Sequence, residues 1–200
     1  MKKLLIALLS IVVVCGCIWF LVLPIAPSHS LQKQFELVQS DHFFEFCEKI
    51  DIDPIEILQQ EFVKEGINIE EEDAAILLNT IRMFDYAIKG YENLGSYAYV
   101  EVEIQSVAIA DIAKEKIREN RKEIILAYLL KNEEYFQNMI HEIIIELPNA
   151  PKDYKETVFV RVDEYKHLGY IFNVDNNSNF FNAICGDLLE ELDMIIETKE

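Results

Sequence analysis

Alternation of apolar and polar residues marks four stretches of this chain as half-buried β-strands. Residues 157–163 alternate strictly and place their three valines on one face, and the alternation resumes over 170–174 after a short glycine-containing turn. An earlier pair, 83–91 and 97–107, alternates in the same way around another turn. Each pair predicts an antiparallel hairpin.

Most of the remaining apolar residues recur at three- or four-residue spacing, which predicts amphipathic helices. The predicted helices cover 31–49, 55–64, 69–81, 111–131, 132–147 and a closing helix that carries Phe181, Ile184, Leu188, Leu192 and Ile195 on one face. Asp53 is expected to cap the second helix ahead of Pro54. The residues expected to face inward from the fourth helix are Ile112, Ile117, Ile124, Ala127 and Tyr128. Helices and hairpins segregated in this way predict an α+β domain.

The N-terminus predicts a membrane anchor. Residues 4–23 contain no charged side chain, and a run of twenty such residues is long enough to cross a bilayer. Lys2 and Lys3 precede this run. Because basic flanks stay on the cytoplasmic side, the rest of the chain is expected outside the cell. We therefore predict a signal anchor over 1–23, a linker over 24–30 and one extracytoplasmic domain over 31–200.

A lipid anchor is the alternative. Val14-Cys15-Gly16-Cys17 resembles a lipobox, in which Cys17 would carry the lipid after cleavage. Cys15 is unusual at its position, and the apolar run continues through 18–23, whereas a cleaved signal needs only 7–15 apolar residues. The sequence favours an uncleaved span and leaves lipidation at Cys17 open.

The charge balance limits the partners. The chain has 18 basic and 36 acidic residues, a net charge of −18. Without Lys2 and Lys3, 16 basic and 36 acidic residues remain, a net charge of −20. Such acidity argues against binding nucleic acid and against docking on anionic lipid, and solubility is its simplest explanation.

No motif predicts a reaction. The sequence lacks a phosphate-binding glycine loop, H-E-x-x-H, G-x-S-x-G and C-x-x-C, and its four histidines are scattered singly. We therefore predict no catalytic, cofactor-binding or metal-binding residue. Cys47 and Cys185 are expected to be buried thiols, although an extracytoplasmic location would permit a disulfide between them.

The last hairpin, the asparagine-rich break and Asn182-Ala-Ile-Cys-Gly-Asp-Leu-Leu189 resemble the end of a family of small extracytoplasmic proteins of Gram-positive bacteria. Those proteins are usually lipoproteins or single-span proteins of uncharacterised function, and their domain is similar to the nuclear transport factor 2-like α+β cone. The resemblance covers about 70–196. This chain has Cys185 and Asp187 where Leu and Gly are more usual. The family implies no catalytic residue.

Cones of this type often hold a pocket between the concave sheet and the long helix, so the resemblance implies a pocket here. The aromatic residues that could line it are Tyr86, Tyr99, Phe159, Tyr170 and Phe172, with core packing as the commoner role for such side chains. Two functions stay open, since a fold alone does not fix one. The favoured one is a non-catalytic domain that binds a peptide, a wall component or a protein at the cell surface. The other is an isomerase- or dehydratase-like enzyme that uses a carboxylate or Tyr in the pocket.

The anchor prediction can be tested at Cys17. If 4–23 is an uncleaved span, Cys17→Ala should leave both membrane attachment and mass unchanged, because the apolar run alone holds the chain in the bilayer. Mass spectrometry of the wild type and the variant from membranes measures this. A lipid-sized mass on the wild type that the variant lacks would establish the lipid anchor instead.

Overall fold

The computed structural model describes residues 26–64, 68–165 and 169–188. The predicted anchor and Cys17 lie outside these ranges, as do Leu192 and Ile195 of the predicted closing helix. The described elements are α1 Pro27–Gln39, α2 Phe43–Lys49, α3 Pro54–Lys64, α4 Glu71–Arg82, β1 Asp85–Asn93, β2 Tyr97–Ser106, α5 Ile109–Glu119, α6 Arg121–Leu130, α7 Glu133–Glu146, β3 Tyr154–Tyr165, β4 Gly169–Phe172 and α8 Ser178–Ile184. Short 3₁₀ turns cover Leu147–Asn149 and Val174–Asn176. The α+β prediction is confirmed for these residues.

Both predicted hairpins form, and together they make one four-stranded antiparallel sheet in the order β1-β2-β3-β4. The register sets Val100 opposite Val160 and Val102 opposite Val158, so the apolar rows of β2 and β3 lie on the same face. These four side chains are buried, whereas Phe159, on the other face of β3, is exposed. We call the buried face the inner face and the opposite one the outer face.

Helices α1 and α8 cover the inner face. Their aromatic side chains meet there, with the rings of Phe35 and Phe180 stacked at a centroid distance of 5.1 Å. Phe84 and Phe172 pack edge-on against Phe180, at 5.7 Å and 5.1 Å. Offset and edge-to-face aromatic pairs add to the stability that burial itself provides. This cluster therefore joins α1 and α8 to both ends of the strand order.

One side chain of α1 also serves the edge of the sheet. Gln34, 4% exposed, accepts a hydrogen bond from the Phe172 N–H and donates one to the Tyr170 carbonyl, both at 3.0 Å. The amide thereby occupies the place that a fifth strand would take beside β4. An edge strand with unpaired backbone groups is prone to aggregation, and Gln34 removes that exposure over two residues.

Two predicted helices are broken in the structure. The predicted 31–49 helix is α1 and α2, separated at 40–42, and Arg82 fills the gap by donating to the carbonyls of Val38 and Ser40 at 3.1 Å and 3.0 Å. Residues 27–30, predicted as linker, form the first turn of α1. The predicted 111–131 helix is α5 and α6, which meet at Asn120. Periodicity does not detect such breaks, because both halves keep the helical spacing.

The predicted closing helix is interrupted after Ile184, since residues 185–187 form a turn and Leu188 is helical again, and the residues beyond it lie outside the described ranges. Gly186 and Asp187 follow with φ of 56° and 67°, in the left-handed region. A Cβ on Gly186 would lie 1.9 Å from the Val107 carbonyl oxygen, so only glycine fits against the start of α5. The Asp187 carboxylate accepts from the Asn182 amide at 3.0 Å. That local bond helps an Asp side chain to tolerate the left-handed conformation.

Asn177 stands at the N-cap of α8, but its side chain bonds the backbone N–H and carbonyl of Arg161, at 2.7 Å and 2.8 Å, rather than the helix.

The structure also decides two predictions made from the sequence, the buried thiols and the Asp53 cap. Cys47 and Cys185 are both buried, and no disulfide joins them. Burial raises the pKa of the Cys185 thiol well above its usual range. Asp53 does cap α3, since its carboxylate accepts from the N–H groups of Ile55 and Glu56.

Replacing Gln34 with Leu should destabilise the fold, because the Phe172 N–H and the Tyr170 carbonyl would be buried without a partner. Each such group costs about 1–3 kcal/mol. Urea denaturation of the wild type and the variant measures the loss. Gln32→Leu is the matched control, since Gln32 is exposed on the same helix and should change stability by less than about 0.5 kcal/mol. Equal losses at the two positions would refute the role of Gln34 at the sheet edge.

Candidate interaction surface

The five aromatic residues predicted to line a pocket lie on both faces of the sheet. Tyr86, Tyr170 and Phe172 are on the inner face, where Tyr86 packs against Phe35 at 5.0 Å. Tyr99 and Phe159 are on the outer face, and Phe159 is 64% exposed. The structure therefore does not bring the five together around one pocket.

Two clefts stand out in the described part of the chain. One, of about 400 Å³, lies between α2 and α3 and carries four acidic side chains: Glu48, Asp51, Asp53 and Glu56. The other, of about 360 Å³, lies between α4 and the chain around Leu147 and is lined mainly by apolar groups. Its Lys152 ammonium is paired with the Asp85 carboxylate at 2.7 Å. Among the described residues, no group of three or more His, Cys, Asp or Glu side chains is arranged to hold a metal ion.

The outer face is open and mostly polar. The Arg161 guanidinium lies 4.4 Å from the centre of the Tyr97 ring and 2.9 Å from the Asp163 carboxylate. Glu103 bridges Lys155 and Lys89 at 3.0 Å and 3.4 Å. The hydrogen bond from Lys155 is the main reason why the pKa of Glu103 is lowered. The charges of this face therefore largely satisfy one another.

The exposed apolar residues of α6 form the most unusual surface of the described chain. Five large side chains of this helix are 53–76% exposed, and we call them the apolar tip: Ile125, Leu126, Tyr128, Leu129 and Leu130. Only Ala127 of this helix is buried. Scattered exposed apolar residues are ordinary, but a contiguous group of this kind marks an interaction site.

The sequence did not predict the apolar tip. Tyr128 was expected to face inward and is 76% exposed, and Ile117, also expected inside, is 46% exposed. Residues 124–130 are all apolar, so periodicity cannot assign a buried side to this helix. The usable signal was the run itself, because an apolar helix with no polar face must be buried or must bind something.

A tight turn holds the end of the tip. Lys131 adopts the left-handed conformation, with φ 52° and ψ 42°. The N–H groups of Lys131 and Asn132 donate to the carbonyls of Tyr128 and Ala127, at 3.2 Å and 2.9 Å, which is a Schellman motif. The Asn132 side chain then accepts from the Tyr135 N–H and caps α7. Helices α5, α6 and α7 therefore form a helical hairpin with the tip near its turn.

Ion pairs fix this helical hairpin. Lys116 of α5 lies 2.9 Å from Glu142 and 3.2 Å from Glu146 of α7. The hydrogen bonds that the Lys116 ammonium donates to Glu142 first, and then to Glu146, raise the pKa of Lys116. The position of the tip is thus set by contacts at the base of the hairpin.

A histidine joins the hairpin to the rest of the domain. His141 Nδ1 of α7 lies 2.7 Å from Asp73 Oδ1 of α4, and the Asp73 side chain is 6% exposed. The hydrogen bond with Asp73 is the main reason why the pKa of His141 is raised. The two residues are 68 positions apart, so no motif spacing could have predicted the pair.

Comparison with known proteins yields little. No family model matches the chain, and no curated protein matches it. Among solved structures, it is similar to a protein of Bacillus subtilis, ycdA, described as a candidate lipoprotein, with 12% identity and a TM-score of 0.40. The match covers 81% of this chain and 48% of that protein, so the chain spans about half its length. A TM-score of 0.40 is too low to assign a shared fold. No described helix is long and apolar enough to cross a membrane.

The His141–Asp73 pair predicts a pH-dependent stability. Since folding raises the pKa of His141, its charged form stabilises the fold below the ordinary pKa of about 6.5, and this contribution is lost as the pH rises through the raised value. His141→Asn should therefore lower the denaturation midpoint more at about pH 6 than at about pH 9. His42→Asn is the control, because the His42 side chain is 78% exposed. A midpoint difference that does not change with pH would contradict the assignment.

Proposed function

We propose that this chain is a membrane-tethered, extracytoplasmic domain that works by binding another protein through the apolar tip. The tether rests on Lys2, Lys3 and the uncharged run 4–23, with a lipid on Cys17 as the alternative anchor. A nuclear transport factor 2-like class is part of the proposal, supported by two hairpins whose inner face is covered by helices. The sequence also allowed a peptide or a wall component as the ligand of such a domain, and either would be an alternative to a protein partner.

The observation that carries the proposal is the exposure of the tip. The five side chains are 53–76% exposed, and each has an area of roughly 150–250 Å². Together they expose on the order of 600 Å² of apolar area on one helix. The largest apolar patch on a typical monomer is about 300–600 Å² and is often functional. Large apolar side chains inside a rim of charged ones match the anatomy of a protein interface.

Among the described residues, nothing favours the enzyme alternative. A desolvated carboxylate beside a Tyr in a cavity would have done so. Burial is the main cause that raises the pKa of Tyr86, and the negative charge of Glu36 adds to it, but Glu36 is exposed and bonded to Gln32. The inner-face valines beside Tyr86 are buried against helices, and they offer no chemistry.

A photo-crosslinking amino acid at Leu129 tests the proposal in cells that display the full chain. The tip should yield a crosslinked product of defined mass, because a buried interface holds the probe against its partner. A probe at Glu92, an exposed position at the far end of β1, is the control and should yield none. Absence of any product from Leu129, or the same products from both positions, would refute a binding role for the tip.

A further inference from the structure

We propose that the partner is a second copy of this chain, bound with its α6 antiparallel to the first. This inference rests on the proposed function and names its partner. Two neighbouring rows of residues run along α6 at four-residue spacing: Lys122, Leu126 and Leu130 in one, and Ile125 and Leu129 in the other. Such rows are the ridges that pack into the grooves of another helix.

The area of the tip fits a dimer. A standard interface takes about 800 Å² from each partner, with a polar rim around an apolar centre. The tip has on the order of 600 Å² of apolar area in all, and the two rows alone, without Tyr128, supply on the order of 400 Å². The exposed charged residues at the two ends of α6 can supply the rim.

Charge favours the antiparallel arrangement. At its start α6 carries exposed Arg121, Lys122 and Glu123, a net charge of +1, and past its end lie exposed Lys131, Glu133 and Glu134, a net charge of −1. Antiparallel helices bring the start of one beside the end of the other, so both ends of the pair join opposite net charges. The helix dipoles also favour this direction. A parallel pair would set like charges together.

Charge disfavours the bilayer as the occupant. The residues around the tip, 121–134, carry three basic and three acidic side chains, without the excess of Lys and Arg typical of helices that lie on membranes. The base of the helical hairpin, after Ser106, also lies at the end of β2 away from Tyr170, which the Ser30 hydroxyl of α1 contacts.

Disulfide formation between engineered cysteines tests both the partner and the direction. In the full chain with Cys15→Ala and Cys17→Ala, antiparallel packing about Leu126 sets position 122 of one copy level with position 130 of the other. When the Lys122→Cys and Leu130→Cys variants are oxidised together in membranes, a disulfide between the two variants (a mixed disulfide) should form on the order of ten-fold more than a disulfide between two copies of one variant (a self-disulfide). The reason is that bridged Cα atoms must lie within about 7 Å. Leu126→Cys alone should form a self-disulfide, and adding Tyr128→Glu and Leu129→Glu should abolish it. Glu92→Cys is the control for random collision.

Several outcomes would overturn the second copy as partner. Self-disulfides from Lys122→Cys and Leu130→Cys with little mixed product would refute the antiparallel arrangement. Absence of all three disulfides, with a Leu129 photo-product at the mass of the chain plus a different protein, would refute the second copy and leave the proposed function standing. A photo-product at the mass of one chain, or of one chain plus a lipid, would refute both proposals, as would no product at all.

Discussion

The structure depends on covering one apolar face of a four-stranded sheet. The buried valines of β2 and β3 lie in register across that face, and helices α1 and α8 are placed where they exclude water from it. Helix α1 arrives from the N-terminal side of the sequence and α8 from the C-terminal side. Their stacked rings, Phe35 on Phe180, close the layer, so the two ends of the domain stabilise each other.

That closure has a consequence for the middle of the chain. Because α1 and α8 already occupy the inner face, the segment between β2 and β3 is not needed to cover it. It leaves the sheet as a helical hairpin and returns to pair Tyr154 with Ser106. Polar contacts fix its base, chiefly Lys116 with its two glutamates and His141 with Asp73. An apolar helix can then stay outside the core, which is the arrangement expected of a binding element on a rigid domain.

Much of the architecture was predictable, because strands with one buried face obey a period of two. The alternation of 157–163 already separated Phe159 from the valines, and the structure keeps that separation. Placing Tyr86 on one face of the sheet and Tyr99 on the other requires the pairing register of β1 and β2, and a single strand does not encode that register. The helix break at 40–42 depends on Arg82, which is a tertiary contact, and the break at Asn120 is accompanied by a local hydrogen bond from its side chain to the Lys116 carbonyl.

The features that the tertiary structure creates were the least predictable from the sequence. Gln34 reads as an ordinary polar residue of a helix, and only the fold brings it to the backbone of β4. His141 and Asp73 meet from distant helices. The apolar tip lies in an entirely apolar run, in which periodicity cannot indicate which side of the helix is buried. At Asp187 the sequence showed an unusual residue and the structure supplied the reason: the backbone there is left-handed, which explains why Gly is more usual in the family that the sequence resembles.

Native-state hydrogen exchange measures most directly whether the sheet depends on α1. If α1 is part of the cover that holds the fold together, its amides from Leu31 to Val38 should open with the same free energy as the amides of β2 and β3, because all of them exchange only on global unfolding. Amides of α1 that exchange at a free energy near zero while β2 and β3 stay protected would contradict this account, since the sheet would then be stable without its cover.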